Sequence, residues 1–234
     1  MSEQDTEAGG WRPPFLQRLE DRAEAGGLLA DQLAPLNLRQ ALVLGIPRGG
    51  VPVASVIAER LGAPLDVLIV RKVGAPGDPE YGLGAVAEGG VVVLDEPRAR
   101  AAGFTRSDLE PVVRREAQEV AARAVRFRGD RRPPELAGHS VVIVDDGVAT
   151  GGTVEAGIAV VRARRPASVV VALGVAPPEA VARLRGLADR LAVVLVPQGF
   201  EAVGQWYHHF DPVEDDDVVR LLQRSRRSVA QAAS

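Results

Sequence analysis

VVIVDDGVATGGT (141–153) carries an apolar run into two adjacent aspartates and then into a turn of glycines and threonines. A short, continuous apolar run bounded by turn residues reads as a strand covered on both faces. The segment behind the turn has helical character from about Thr153 to Arg165, and SVVVALGV (168–175) is a second buried run. Strand, helix and strand make one βαβ unit. The same arrangement stands upstream, where ALVLGI (41–46) leads through PRGG into VPVASVIAERLG (51–62) and then DVLIV (66–70). Pro52 suits the first turn of that helix and Gly62 suits its end. Downstream, a helix over Glu179 to Leu187 leads to LAVVLV (191–196). This alternation predicts an α/β fold, a doubly wound and mainly parallel sheet with helices on both faces.

Other segments read less regularly. Helical spacing runs from Phe15 to Leu33 with a break expected at Gly26-Gly27, and 82–97 reads as a glycine-loosened hairpin. A capping box of Ser107 and Glu110 predicts the start of a long helix. Residues 1–10 and 225–234 read as loose tails, leaving one domain over 11–224. A net charge of −3 argues against a basic surface for nucleic acid, and the absence of cysteine excludes disulfides and thiol chemistry. The first residues are polar and acidic, unlike a signal peptide, and no apolar run approaches the ~20 residues of a membrane span. A cytoplasmic protein with no membrane partner is expected.

In an open parallel sheet, ligands collect beyond the carboxyl ends of the strands. Asp145 and Asp146 stand at such an end. The following turn (Gly147, Val148, Ala149, Thr150, Gly151, Gly152 and Thr153) leads into a helix whose first amides are unpaired, which favours an anion and best a phosphate. The two carboxylates cannot serve that same anion, so they call for hydroxyl donors or a hydrated cation. A phosphorylated ribose satisfies both demands; a capped turn without ligand is the alternative. A Walker A loop needs a lysine before Thr153, and a dinucleotide fingerprint needs a different glycine spacing. A receiver domain needs a lysine downstream, whereas Lys72, the only lysine, lies upstream.

The stretch resembles the phosphoribosyl-pyrophosphate (PRPP) motif of type I phosphoribosyltransferases, with Ala149 as in the adenine-type branch. More broadly, the chain is similar to bacterial phosphoribosyltransferase-domain proteins. It shares their AG..LA helix, PRGG loop, VRK.GAPG segment and VG.WY..F ending, over roughly residues 14–222. The resemblance implies the type I fold with a small hood, built from the N-terminal helix region and about 197–212. It implies pyrophosphate binding by Arg48, Gly49, Gly50, Arg71 and Lys72, and 5′-phosphate binding by the turn 147–153. Asp145 and Asp146 would hold the ribose hydroxyls, and Glu80 maps onto a glutamate that handles the base proton. Ala75 stands where adenine enzymes carry a second lysine.

A mobile loop over 73–90 would close the site, Mg²⁺ would arrive mainly on PRPP, and no all-protein metal site is implied. Phe200, Val203 and Trp206 would form the base pocket, with a core-covering aromatic cluster as the alternative. The implied activity is transfer of ribose 5-phosphate from PRPP to a nitrogenous, purine-like base with release of pyrophosphate, in nucleotide salvage. The rival is a PRPP- or nucleotide-sensing module without turnover; a homodimer is left open. EDDD (214–217) reads as complementing a helix dipole. His208 and His209 read as surface residues, and the arginines of 114–132 as a solvated helix face.

Overall fold

The structure, a computed structural model, describes residues 18–232; the expected tail at 1–10 and Phe15 lie outside the described residues, as does the side chain of Glu80. The first helix, α1 (Arg22–Leu33), is capped by Asp21, whose carboxylate accepts from the Glu24 amide. It continues through Gly26-Gly27, where a break was expected. The reason is packing against α2 (Gly50–Leu61). A methyl on Gly26 would stand 2.7 Å from Val56 Cβ and 2.8 Å from the Val53 carbonyl oxygen. Here glycine permits close helix contact.

Strand β1 (Ala41–Gly45) precedes α2, and β2 (Leu65–Val67) follows it. The chain then leaves the first sheet and enters a second, made of β3 (Val70–Ala75), β4 (Asp78–Ala87) and β5 (Val91–Leu94) in antiparallel order. DVLIV, expected as one strand, is therefore divided between two sheets. Its continuous apolarity reflects a crossing buried at Leu68 and Ile69. The expected mobile loop over 73–90 is also corrected, because most of it is paired strand. Its glycines permit close pairing: a methyl on Gly84 would stand 2.4 Å from the Val93 carbonyl oxygen. The hairpin expected over 82–97 is the β4–β5 pair, turning at Glu88–Gly90.

Helix α3 (Glu96–Ala101) leads to α4 (Arg106–Arg128). Its capping box is Thr105 with Asp108, two residues before the expected Ser107 and Glu110. Both pairs have the right spacing, and the chain uses the first. The βαβ unit of the opening stretch is β6 (Ser140–Gly147), α5 (Gly152–Ala163) and β7 (Ser168–Val175), followed by α6 (Pro178–Arg185) and β8 (Arg190–Leu195). The main sheet has the order β2-β1-β6-β7-β8 and every pair is parallel.

Alternate residues of each central strand feed two cores. Val43, Val142, Val144 and Val170 meet α1 and α2 on one face. Leu42, Val141, Ile143 and Val171 meet α5 on the other. Burial on both faces is why these strands carry no polar alternation.

The last helix, α7 (Asp215–Ala232), packs Val218 and Leu222 into the first core. It runs through residues expected as a tail from 225, a stretch with no glycine or proline to stop it. Ahead of α7 the chain returns to its beginning. Leu19 bridges Tyr207, with amide bonds from Leu19 to Trp206 O and from His208 to Leu19 O, each 2.8 Å. No helix among the described residues is long and apolar enough to cross a membrane.

A buried ion group lies at one edge of this apolar frame. Arg128, with 1% of its side chain exposed, donates to Asp66 at 2.9 Å, to Glu88, and to Val67 O at 2.7 Å. It joins the end of α4 to the edge of the main sheet and to the turn of the second.

Candidate functional site

Both aspartates fall within β6, at its carboxyl end. The PRGG loop lies directly against them. A methyl on Gly49 would stand 2.0 Å from Asp146 Oδ2, and one on Gly50 would stand 2.4 Å from the Val144 carbonyl oxygen. Only glycine allows the backbone of this loop to touch the acid pair. Thus the structure brings Gly49, Gly50, Asp145 and Asp146 together.

The pair is held asymmetrically. Arg22 Nε donates to Asp146 Oδ2 at 2.8 Å, its Nη1 donates to Asp211 O at 2.8 Å, and its guanidinium lies 3.9 Å above the Phe210 ring. Among the described residues no cation pairs directly with Asp145, on which Arg22 acts only from further off; burial first, and repulsion from Asp146 second, push its carboxyl well above the usual carboxylate range. Sequence reading missed Arg22. Its signal was an arginine one position after a capping aspartate, which looks like any exposed first-turn residue.

Tyr207 was missed for a similar reason, its contact being a backbone atom. The Tyr207 hydroxyl donates to the Asp146 carbonyl oxygen at 2.5 Å. It passes over Gly174, where a methyl would stand 2.0 Å from that hydroxyl. Burial and the neighbouring Asp146 charge push the phenol above its ordinary range. Tyr207→Phe is expected to lose about 1 kcal/mol of stability, the net value of one hydrogen bond. Urea unfolding at neutral pH measures it, and an unchanged midpoint would mean the bond is not formed in solution.

The turn after the acids divides into two parts. Val148 faces inward and donates its amide to Val175 O at 2.9 Å. Ala149, Thr150 and Thr153 are exposed, and the N-cap of α5, Gly151 (φ 75°), offers no side chain, so that its first amide, Gly152 N–H, meets only a long contact to Thr150 Oγ1 at 3.5 Å. The positive φ explains the glycine there. A cavity of about 470 Å³ opens beside this turn, lined by Thr150, Gly152 and Thr153 on one side and by Arg71 and Lys72 on another. The aliphatic stem of Lys72 runs 3.3 Å from where a methyl on Gly82 would lie, and 3.7 Å from the equivalent point on Gly152. Arg71 Nε donates to Glu116 Oε2 at 2.8 Å, and Arg115 donates to Oε1. Burial would raise the Glu116 carboxyl, but these two guanidiniums prevail and hold it below its ordinary value.

Arg48 is placed differently from its expected role. Its Nη1 lies 3.6 Å from Glu214 and 3.8 Å from Asp215 at the head of α7, and its side chain is half exposed. Asp215 and Asp216, in the run read from sequence only as complementing a helix dipole, meet Arg126. Phe200, Val203 and Trp206 are part-buried against the first core. Val203 closes on the acid pair's strand, its Cγ1 2.7 Å from where a methyl on Gly147 would lie. The buried Trp206 indole nitrogen has no hydrogen-bond partner among the described residues. His209 is exposed, 3.3 Å from Glu20. Glu80 lies on β4, across the hairpin turn from Ala75. No group of three or more metal-ligating side chains occurs among the described residues.

Comparison with known proteins gives this geometry its context. A family model described as the phosphoribosyl transferase domain matches residues 18–203. Two Mycobacterium tuberculosis proteins, from strains H37Rv and CDC 1551, are each provisionally named as a phosphoribosyl transferase. Both are 43% identical to the chain over 219 residues, 94% of the chain and 49% of the relative. The chain thus spans about half the length of the curated relatives it matches. The crystal structure of TT1426 from Thermus thermophilus is 49% identical and superposes with a TM-score of 0.83, covering 88% of this chain and 98% of that one. With the family match extending over the main sheet, the acid pair and the turn that follows it alike, the chain belongs to the phosphoribosyl transferase domain family.

Proposed function

We propose that the chain is a phosphoribosyltransferase that moves ribose 5-phosphate from PRPP to a nitrogenous, purine-like base and releases pyrophosphate. The observation that carries this reading is the meeting of three parts at one strand end. The glycines of the PRGG loop touch the acid pair, and the phosphate turn that follows the pair opens onto the Arg71–Lys72 cavity. In this reading the exposed part of the turn, 149–153, holds the 5′-phosphate. Asp145 and Asp146 accept from the ribose hydroxyls and lie near the positive charge that grows on the ring as the bond to pyrophosphate lengthens. Arg71 and Lys72 meet the negative charge growing on the leaving group, while Arg48 reaches it by leaving its weak surface pairs with Glu214 and Asp215.

The hard oxygen donors of Asp145 and Asp146 suit the water shell of Mg²⁺, which keeps several of its waters. Brought by PRPP, the ion would neutralise the phosphate chain. Phe200, Val203 and Trp206 offer a planar acceptor an apolar face, and the unpartnered Trp206 indole a hydrogen bond. Glu80 is the proposed proton acceptor. The β3–β4 hairpin shields the reacting carbon from water. A role in nucleotide salvage in the cytoplasm follows from the same reading.

Pyrophosphate release from magnesium-loaded PRPP, measured over a panel of purine and pyrimidine bases, tests the proposal. Release with one base supports transfer. The second reading, a PRPP sensor, is favoured by the strand pairing of the segment that would otherwise close as a loop. Binding of PRPP without release on any base would establish that reading instead. Absence of PRPP binding would refute both.

A further inference from the structure

The 470 Å³ cavity has a wall that the proposed reaction does not use. Besides Arg71 and Lys72 it is lined by Arg115, Glu116 and Arg123, all from α4. Arginines on an exposed helix face are ordinarily solvated, but two observations separate these from that case. Glu116 is a charged side chain only 7% exposed, and it accepts from Arg71 on one oxygen and from Arg115 on the other. A buried carboxylate is retained at a cost that only good pairing offsets. Here that pairing fixes two guanidiniums side by side on the cavity wall. Their bonds to Glu116 use Nε of Arg71 and Nε and Nη2 of Arg115, so each fork keeps further N–H groups for an anion.

The second observation is charge. Of the described residues that line the cavity, Arg71, Lys72, Arg115 and Arg123 are cations and Glu116 is the one carboxylate. Among the described residues Arg123 has no carboxylate partner. Eight residues separate Arg115 from Arg123, or about 12 Å along a helix. The cation row therefore extends well past the point where Arg71 and Lys72 would meet a pyrophosphate. A cleft lined by one sign of charge focuses its field on the opposite one.

We infer that α4 supplies a second anion subsite, Arg115 with Arg123, and that the cleft accepts a phosphoanhydride chain of three or more phosphoryl groups. The inference rests on the pyrophosphate reading of Arg71 and Lys72 and lengthens it. The chain is either free or carried on a nucleoside.

Titration calorimetry of the whole chain with inorganic pyrophosphate, inorganic tripolyphosphate and a nucleoside triphosphate tests it, with ribose 5-phosphate as a probe of the turn alone. Tripolyphosphate is expected to bind more tightly than pyrophosphate by about tenfold or more, the value of one further charge-assisted contact. Arg115→Ala with Arg123→Ala should remove that gain and leave ribose 5-phosphate binding unchanged. Since the first change also strips a partner from Glu116, Arg123→Ala alone provides a variant that leaves the buried pair intact, and it should remove part of the gain. A nucleoside triphosphate matching tripolyphosphate would point to a free chain, and one binding more tightly to a nucleoside-borne chain. Equal affinity for pyrophosphate and tripolyphosphate, or a gain that survives both variants, would overturn the inference. If ribose 5-phosphate itself fails to bind, the proposed function is what fails, whatever the phosphate chains do.

Discussion

Arg128→Ala should lower the unfolding free energy by about 3–5 kcal/mol, the usual consequence of removing one partner from a buried ion group. The guanidinium is 1% exposed and pairs with both Asp66 and Glu88, whose side chains are themselves 14% and 11% exposed, while Arg164 acts on Glu88 from further off. Without it two buried carboxylates remain, and the Val67 carbonyl loses its donor. The pH dependence identifies the cause. Even with Arg128 present, burial pushes the Glu88 carboxyl above its usual value. The folded chain therefore binds a proton there more readily than the unfolded chain, so this group's contribution falls as pH rises from the ordinary carboxylate range, about 4, through the raised value. Removing Arg128 should widen that window. The deficit of the variant should be largest near neutral pH and shrink on mild acidification, as followed by denaturant midpoints. A deficit that is flat with pH would mean lost packing rather than stranded charge. Replacing Arg128, Asp66 and Glu88 together by apolar residues of similar volume should restore much of the loss.

The Arg128 group also marks how far the sequence could be read. Asp66, Glu88 and Arg128 lie in three separate segments, and each looks like an ordinary surface residue in its own. The main sheet was legible because its strands are buried on both faces and betray themselves as unbroken apolar runs. The second sheet was legible only in its β4–β5 hairpin. Its β4 contains Gly82 and Gly84, which signal a loop locally but serve close pairing once β3 and β5 are alongside. Gly26 misled in the same way, because the space it provides is filled by a helix far along the chain.

At the site, contiguous residues were legible. The acid pair and the turn stand in one stretch whose chemistry is already contradictory without a ligand, and the PRGG loop follows a strand of the same type. What escaped was everything reaching the pair from the chain ends. Arg22 and Tyr207 act on Asp146 across separations of 124 and 61 residues, one through a side-chain bond and one through a backbone carbonyl. No local pattern encodes either contact. Glu116 was hidden inside an arginine-rich helix that reads as a solvated face, and its burial becomes visible only when β3 is laid against α4.

Asp145→Asn is expected to separate stability from function. In the folded chain burial and the adjacent Asp146 hold the Asp145 carboxyl well above its ordinary range, whereas Asp146 has Arg22 against it. An acid of this kind destabilises the fold once pH exceeds its unfolded value, because the native state resists losing the proton. An amide of the same shape removes that penalty. The variant should therefore melt higher than the wild type at neutral pH, with the difference vanishing below about pH 4, where the carboxyl is protonated in both states. Ligand binding should move oppositely. Ribose hydroxyls donate to a carboxylate, so ribose 5-phosphate should favour the ionised form and release a proton as it binds. Its affinity for the wild type should accordingly rise with pH, and the heat of binding should depend on the ionisation enthalpy of the buffer. With Asp145→Asn that buffer dependence should disappear. With Asp146→Asn added, two charged acceptors are lost at about 1.5–3 kcal/mol each, weakening binding by roughly 10² to 10⁴. In the proposed reaction PRPP turnover should fall at least as far, since the same charges would face the cation growing on the ring. A double variant that binds ribose 5-phosphate as the wild type does would place the sugar elsewhere. A single variant that melts lower would mean that Asp145 stabilises the fold it was argued to strain.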